Sequence, residues 1–276
     1  MKIGTCVYLS SSREDMKNKF QLLKDNEFTT CQLLSWNMAD FTDENAAMVN
    51  ELCAEYGIEI SAFWCGWSGP VHWNFYEGQE TLGLVSPTYR WQRMQDLKKG
   101  SDFAEKIGVT DIATHMGYIP ENPYDINYAG FCCAVRDVAQ YMKRKGQYLL
   151  FETGQETPVT MLRCFETVGM DNLGVNLDTG NLILYGKANP VDALDVIGKY
   201  VINFHIKDGF YPVNGHNLGR EAKVGEGKCD FVALCKKLKE LGYDGHMTIE
   251  REIEGTQQNI DILDTRKYIN DILASL

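Results

Sequence analysis

No stretch of this chain approaches the ~20 consecutive apolar residues that a membrane-spanning helix requires. The first residues, Met1-Lys2-Ile3-Gly4-Thr5-Cys6-Val7, lack the layout of a signal peptide and read directly as a strand. Nine cysteines are present, an odd number, and no Cys-x-x-Cys pair occurs among them, which argues against a zinc–thiolate site. Cys6, Cys31 and Cys65 fall inside strand-like runs and Cys132-Cys133 inside a helical pattern, so free buried thiols in a reducing cytoplasm are expected. Positive charge is in short supply: 27 Lys and Arg face 38 Asp and Glu, a net charge of −11. That balance disfavours nucleic acid as a partner, because phosphate backbones recruit basic surfaces. No Pro-, Gly- or Ser-rich linker interrupts the chain, and one domain over residues 1–276 is expected.

What is present is a strict alternation of strand-like and helix-like segments. Strands are predicted at Lys2–Val7, Thr30–Ser35, Glu59–Cys65, Asp111–His115, Gln147–Glu152, Gly174–Asp178, Val201–Ile206 and His246–Glu250. Helical patterns lie between them at Arg13–Asp25, Glu44–Tyr56, Tyr89–Ile107, Tyr128–Lys145, Val159–Val168, Pro190–Ile197 and Phe231–Leu241, and a last one at Ile260–Leu273. Gly57, Gly108, Gly146 and Gly242 sit where helix C-caps are expected. Such alternation implies parallel strands with crossover helices. Eight units in 276 residues fit a closed (β/α)₈ barrel, of the TIM-barrel type, which typically needs about 250 residues. The alternative, an open doubly wound sheet for dinucleotides, is weakened because no Gly-x-Gly-x-x-Gly follows the first strand. The long irregular stretches 66–87 and 208–230 both follow strands, so both are expected on the catalytic face.

Four of the later strands end on a metal-type ligand: Glu152, Asp178, His205 and Glu250. They are spaced 26, 27 and 45 residues apart, so the first two gaps each match one β/α unit and the third matches a unit plus a long loop. Neighbouring strand ends of a barrel aim such side chains at one point. The plainer reading, a polar residue at each strand end, suffices for one of them and strains to cover four in succession. Buried acids without a cation would repel one another and take up protons. Three carboxylates and one imidazole suit one divalent metal ion, Mn²⁺ or Mg²⁺ first, with Co²⁺ or Zn²⁺ tolerated.

Other residues near these strand ends carry two readings each. Lys207, two residues past His205, binds a substrate oxygen or forms an ion pair at the barrel mouth. His115 contacts substrate or packs as a hydrogen-bonded core residue. Trp64 and Trp67 stack on the C–H face of a sugar or belong to the core. Arg220, Lys223 and Arg251 hold a phosphate near the last two strands or are solvated loop charges.

The motifs Phe151-Glu152-Thr153, Leu177-Asp178-Thr179-Gly180-Asn181, Phe204-His205-Ile206-Lys207-Asp208, Val224-Gly225-Glu226-Gly227 with Asp230-Phe231, and Thr248-Ile249-Glu250 give the chain a resemblance. It resembles the sugar phosphate isomerase/epimerase group of the xylose isomerase-like barrels, which includes ketose 3-epimerases, inosose-processing enzymes and endonuclease IV. The resemblance implies that Glu152, Asp178, His205 and Glu250 bind the cation and that Glu152 and Glu250 double as the acid/base pair. It departs from the group at Asn181, where ketose 3-epimerases commonly carry a substrate-contacting histidine. Asn181 can hydrogen-bond to substrate but cannot transfer its proton. Gly219 and Glu221 stand where endonuclease IV carries further metal ligands, although His115 does match one of its histidines.

The expected chemistry is therefore removal and return of a proton next to a carbonyl, with the enediolate stabilised by a Lewis-acidic cation. The expected substrate is a small sugar or polyol ketone, with no nucleic acid or membrane partner and with a homo-oligomer left open. A dehydratase-type lyase using the same metal is the alternative. An abasic-site endonuclease and a non-catalytic sugar-binding barrel stand behind it.

Overall fold

The computed structural model describes residues 1–276. Eight parallel strands close on themselves: β1 (Lys2–Tyr8), β2 (Thr30–Ser35), β3 (Glu59–Cys65), β4 (Asp111–Thr114), β5 (Tyr148–Glu152), β6 (Leu173–Asp178), β7 (Val201–Ile206) and β10 (His246–Ile249). Ladders run from each strand to the next and from β10 back to β1, where Ile3 pairs with Met247 and Thr5 with Ile249. The chain is thus a (β/α)₈ TIM barrel, and the open-sheet alternative is excluded by that closure. Inserted between β7 and β10 is a small antiparallel hairpin, β8 (Asp208–Phe210) and β9 (Arg220–Ala222).

Helices α1 (Arg13–Asp25), α2 (Asp43–Tyr56), α4 (Pro87–Lys106), α5 (Ile126–Lys143), α6 (Pro158–Val168), α8 (Pro190–Ile197), α9 (Phe231–Glu240) and α10 (Thr256–Ser275) cover the outside. Their starts follow from local chemistry. Ser12, Thr42, Thr157, Asn189 and Asp230 each accept a hydrogen bond from a backbone N–H of the first turn, and Pro158 and Pro190 occupy first helical positions that need no donor. The four glycines expected as C-caps all adopt positive φ, between 68° and 74°. Between helices and sheet lies a cluster of 58 buried apolar residues, which supplies most of the burial that holds the barrel closed.

Short elements between the main units were not foreseen. α7 (Thr179–Leu184) begins directly at Asp178, α3 (Gly78–Thr81) sits inside the loop after β3, and the β8–β9 hairpin organises the loop after β7. Each is too short for periodicity to reveal, and each is held by tertiary contacts. The fully buried guanidinium of Arg93 donates to the carbonyls of Ser68 (3.1 Å), Pro70 (3.0 Å) and Gly83 (2.8 Å), pinning both ends of the loop after β3. That loop then touches the one after β7: Phe75 N–H donates to His216 O at 3.2 Å, and the Tyr76 and His216 rings stack at 4.5 Å.

Candidate metal centre

Side chains alternate along a strand, so residues two apart share a face. In β7 this puts Asn203, His205 and, just past the strand, Lys207 on one side; in β6 it puts Asn176 and Asp178 there. The register sets Asp178 opposite His205 and Glu152 opposite Asn176. Glu250 stands one residue beyond β10, but its N–H still bonds Ile206 O at 3.1 Å, so it is aimed as a strand residue would be. The outcome is a cluster in which one ligand atom from each of Glu152, Asp178, His205 and Glu250 lies within 4.8 Å of every other. His205 Nδ1 is 3.5 Å from Glu152 Oε1, 3.6 Å from Asp178 Oδ2 and 3.2 Å from Glu250 Oε2. All four residues are buried or nearly so, and Asp178 Oδ2 has no hydrogen-bond donor at all. Asp178 uses its other oxygen to cap α7, accepting from Asn181 N–H at 2.7 Å. An acceptor oriented by one oxygen and left bare at the other, among two more carboxylates and an imidazole, fits a hard divalent cation.

Protonation in this cluster follows from its charges. Burial raises Glu152, but the His115 and His205 imidazoles outweigh it and hold the carboxyl below its usual range. Burial likewise opposes ionisation of Glu250, and Lys207 and His205 bring it well below that range. Asp178 is pushed up to about 7 by burial, against the pull of Lys207. Burial works against a charged His205, yet Glu152 and Glu250 raise it well above its ordinary value. The protein alone thus stores positive charge on His205 where a cation would bring its own.

A second layer fixes the first. His205 Nε2 lies 2.6 Å from Gln32 Oε1, and Gln32 Nε2 donates to Asn176 Oδ1 at 3.3 Å. Glu152 accepts from the indole N–H of Trp64 and from Asn181 Nδ2 at 3.2 Å. Lys207 Nζ is 3.2 Å from Glu250 Oε2 and 2.8 Å from Glu252 Oε2.

Above the cluster opens a cavity of about 520 Å³. Glu152, Glu250, His115 and Asn181 line its inner part, and the exposed Glu252 lines its open edge. Its walls are largely apolar: Trp36, Trp64 and Trp73 on one side, Leu184, Tyr185 and Leu218 on another. His115 packs against the Trp64 and Trp73 rings, with Nε2 3.5 Å from Glu152 Oε1, and burial lowers its pKa against the pull of Glu152 and Glu250.

Of the residues expected to meet substrate, Trp64, His115 and Asn181 line this cavity and Lys207, Trp67 and Arg251 do not. Lys207 is buried behind Glu250 and Glu252 as their counter-ion. Trp67 is buried with the Arg93 guanidinium over its ring at 5.2 Å. Arg251 points outward, bonded to Glu221 at 3.0 Å and Asp261 at 2.9 Å. Gln32, Trp36, Trp73, Tyr8 and Glu252 belong to the site or its support and escaped sequence reasoning. Gln32 alone left a trace, as a long polar side chain in the middle of the fully buried run Thr30–Ser35. The Gly225-Glu226-Gly227 stretch serves the architecture of the barrel mouth. Asp208 accepts from the N–H groups of Gly225 (3.0 Å), Gly227 (2.9 Å) and Cys229 (3.0 Å), which ties the loop down.

Comparison with known proteins agrees with this fold. The family model described as xylose isomerase-like TIM barrel matches residues 20–269. The uncharacterized protein MJ1311 of Methanocaldococcus jannaschii is 35% identical over 271 residues, covering 91% of this chain and 84% of that protein. Among solved structures, a xylose isomerase domain protein from Planctomyces limnophilus superposes with a TM-score of 0.91 at 29% identity, covering 99% of both chains. A D-tagatose 3-epimerase-like protein gives a TM-score of 0.75 at 21% identity, covering 100% of this chain and 99% of that one, a likeness of fold.

Proposed function

The chain belongs to the xylose isomerase-like TIM barrel family, and from that premise we propose that it is a divalent-metal-dependent isomerase or epimerase of a small sugar or polyol ketone. The observation that carries this reading is the buried convergence of Glu152, Asp178, His205 and Glu250 beneath an aromatic-walled cavity. These four residues would hold the cation. Mn²⁺ or Mg²⁺ suits the oxygen-rich set best, with Co²⁺ or Zn²⁺ as substitutes. When bound, the cation supplies Lewis acidity toward the substrate's carbonyl oxygen and so acidifies the neighbouring C–H.

The chain's own residues then move the proton. Glu152 and Glu250 come from β5 and the end of β10, strands separated in the barrel by β6 and β7, so they approach a substrate from different directions. Each is held ionised, Glu152 by neighbouring imidazoles and Glu250 by Lys207 and His205. In this reading one carboxylate takes the α-proton and becomes a carboxylic acid. Either that acid returns its proton to the neighbouring carbon, which with transfer of the hydroxyl proton shifts the carbonyl, or the other carboxyl, once it has taken a proton from solvent, protonates the opposite face, which inverts the centre. The Trp64 N–H and Asn181 amide fix the rotamer of Glu152. His115 offers an N–H to a substrate oxygen. The tryptophan walls stack on C–H faces and keep water from the developing carbanion. Nine free thiols, most of them shielded, support work in a reducing cytoplasm.

The test is exchange of the substrate α-proton with solvent. Protein loaded with Mn²⁺ and given a panel of ketoses and polyol ketones in D₂O should incorporate deuterium at one carbon. Glu152→Gln, with metal retained, should lower that exchange by at least about 100-fold. Undiminished exchange in that variant removes Glu152 from the chemistry, and a product lighter by one water reassigns the enzyme as a lyase.

A further inference from the structure

We infer that the substrate is an uncharged polyhydroxy ketone and that its phosphate esters are rejected. This rests on the isomerase reading for its chemistry and on the electrostatics of the cavity for its content. The ionisable groups that reach the cavity, apart from His115 and tyrosine, are Glu152, Glu250 and Glu252, and no lysine or arginine is among its wall residues. Asp178 and Lys207 lie just behind them. Four carboxylates against one ammonium and a divalent cation leave the site with one negative charge in excess when His115 and His205 are neutral.

The nearby cations are already engaged. The Lys207 ammonium is buried and sits 2.8 Å from Glu252, 3.2 Å from Glu250 and 3.8 Å from Asp178. Arg251 is shared between Glu221 and Asp261, and Lys223 is 2.5 Å from Asp264. Arg220 lies over the Phe210 ring at 4.8 Å, and together with Arg251 and Lys223 it lines a separate depression that also holds Glu221, Glu226 and Asp261. A phosphate dianion brought into the main cavity would lose hydration, find no lysine or arginine partner and face Glu252.

A neutral polyol meets the opposite situation. Trp36 and Trp73 offer apolar aromatic surface for its C–H groups, while Asn181, His115 and the carboxylates take its hydroxyls. Glu252 therefore acts as a specificity determinant: it neutralises Lys207, the ammonium that lies just behind the cavity's carboxylates.

The experiment uses matched probes: D-fructose with D-fructose 6-phosphate, and D-ribulose with D-ribulose 5-phosphate. Two readouts run in parallel on the Mn²⁺-loaded protein, namely α-proton exchange in D₂O and quenching of the cavity tryptophans on titration. A free ketose should be favoured over its ester by on the order of 100-fold in either readout. In Glu252→Gln that ratio should shrink about tenfold, because one repelling charge is gone and Lys207 is partly released. Free ketoses that bind without exchanging would sink the isomerase reading and leave this inference standing. Equal or tighter use of the esters overturns the inference even in an active enzyme. Silence of every neutral probe in both readouts, or an unchanged ratio in Glu252→Gln, overturns it as well.

Discussion

His205 Nε2 and Gln32 Oε1 meet at 2.6 Å across the inside of the barrel, β7 reaching toward β2. Because the glutamine oxygen can only accept, Nε2 must carry the proton. Nδ1 is thereby turned, as a lone pair or a second N–H, into the carboxylate cluster. A residue 173 positions away thus sets the tautomer that the proposed cation site would need.

Removing that acceptor is expected to weaken the metal site without unfolding the barrel. Gln32→Leu should bind Mn²⁺ some 10- to 100-fold less tightly, as read by titration calorimetry, while its far-ultraviolet circular dichroism stays that of the parent. Unaltered affinity would show that His205 needs no outside support.

Cation binding should depend on pH in a direction that the protonation states dictate. Without a cation, His205 is held charged by Glu152 and Glu250, and Asp178 is raised to about 7. A cation must displace the proton from Nδ1 and, below about pH 7, one from Asp178. Binding therefore releases protons, and affinity rises with pH. Mn²⁺ should bind at least about tenfold more tightly at pH 8 than at pH 6, and calorimetry in buffers of different ionisation enthalpy should detect about one proton released at pH 7 or more. A flat profile would contradict the assignment.

Metal should also raise thermal stability by mass action. At a hundred times its dissociation constant a cation adds about 2.7 kcal/mol, roughly 5 °C in a chain of this size. EDTA should reverse the shift, and Glu250→Gln should blunt it. Identical melting curves with and without Mn²⁺ would deny a tight site.

Glu156 gives a pH effect remote from the cluster. It is buried, neither of its oxygens has a hydrogen-bond partner, and burial raises it to about 8 against a weak pull from Lys187. Its ordinary value is near 4.5, so between 4.5 and 8 the folded chain binds more protons than the unfolded one and stability falls as pH rises. Glu156→Gln abolishes that loss. Its melting temperature should match the parent near pH 5 and exceed it by roughly 5 °C at pH 9. Parallel curves across that range would mean the carboxyl is ionised at little cost.

Asp208 should prove structural. Its carboxylate accepts from the N–H groups of Gly209, Gly225, Gly227 and Cys229, at 2.8–3.0 Å. Asp208→Ala orphans those donors and should cost about 3 kcal/mol in urea unfolding. Gly227→Ala should cost a similar amount, since its methyl would lie 2.1 Å from Asp208 Oδ1. If either variant unfolds like the parent, the loop is not held from this point.

Much of this architecture is legible along the chain. Period-two and period-3.6 patterns end where cap residues and glycines occur, so each strand is found with at most one or two residues misplaced at its ends. Glu152, Asp178, His205 and Glu250 are visible for the same reason: each terminates an apolar run, and successive parallel strands end on one face. What lies between units is less legible. α7 exists because Asp178 caps it, and the β8–β9 hairpin because Asp208 gathers the following loop, neither of which periodicity reports.

The amino-acid order by itself determined the barrel and the ligand types, since both arise from local repeats and strand-end positions. Closure of the barrel decided the rest: that Gln32 supports His205, that Lys207 is spent on Glu250 and Glu252, that Arg251 faces outward, and that Trp36 and Trp73 wall the cavity. Those contacts join residues far apart in the chain, and their free energy exists only once the strands have brought them within a few ångströms of one another.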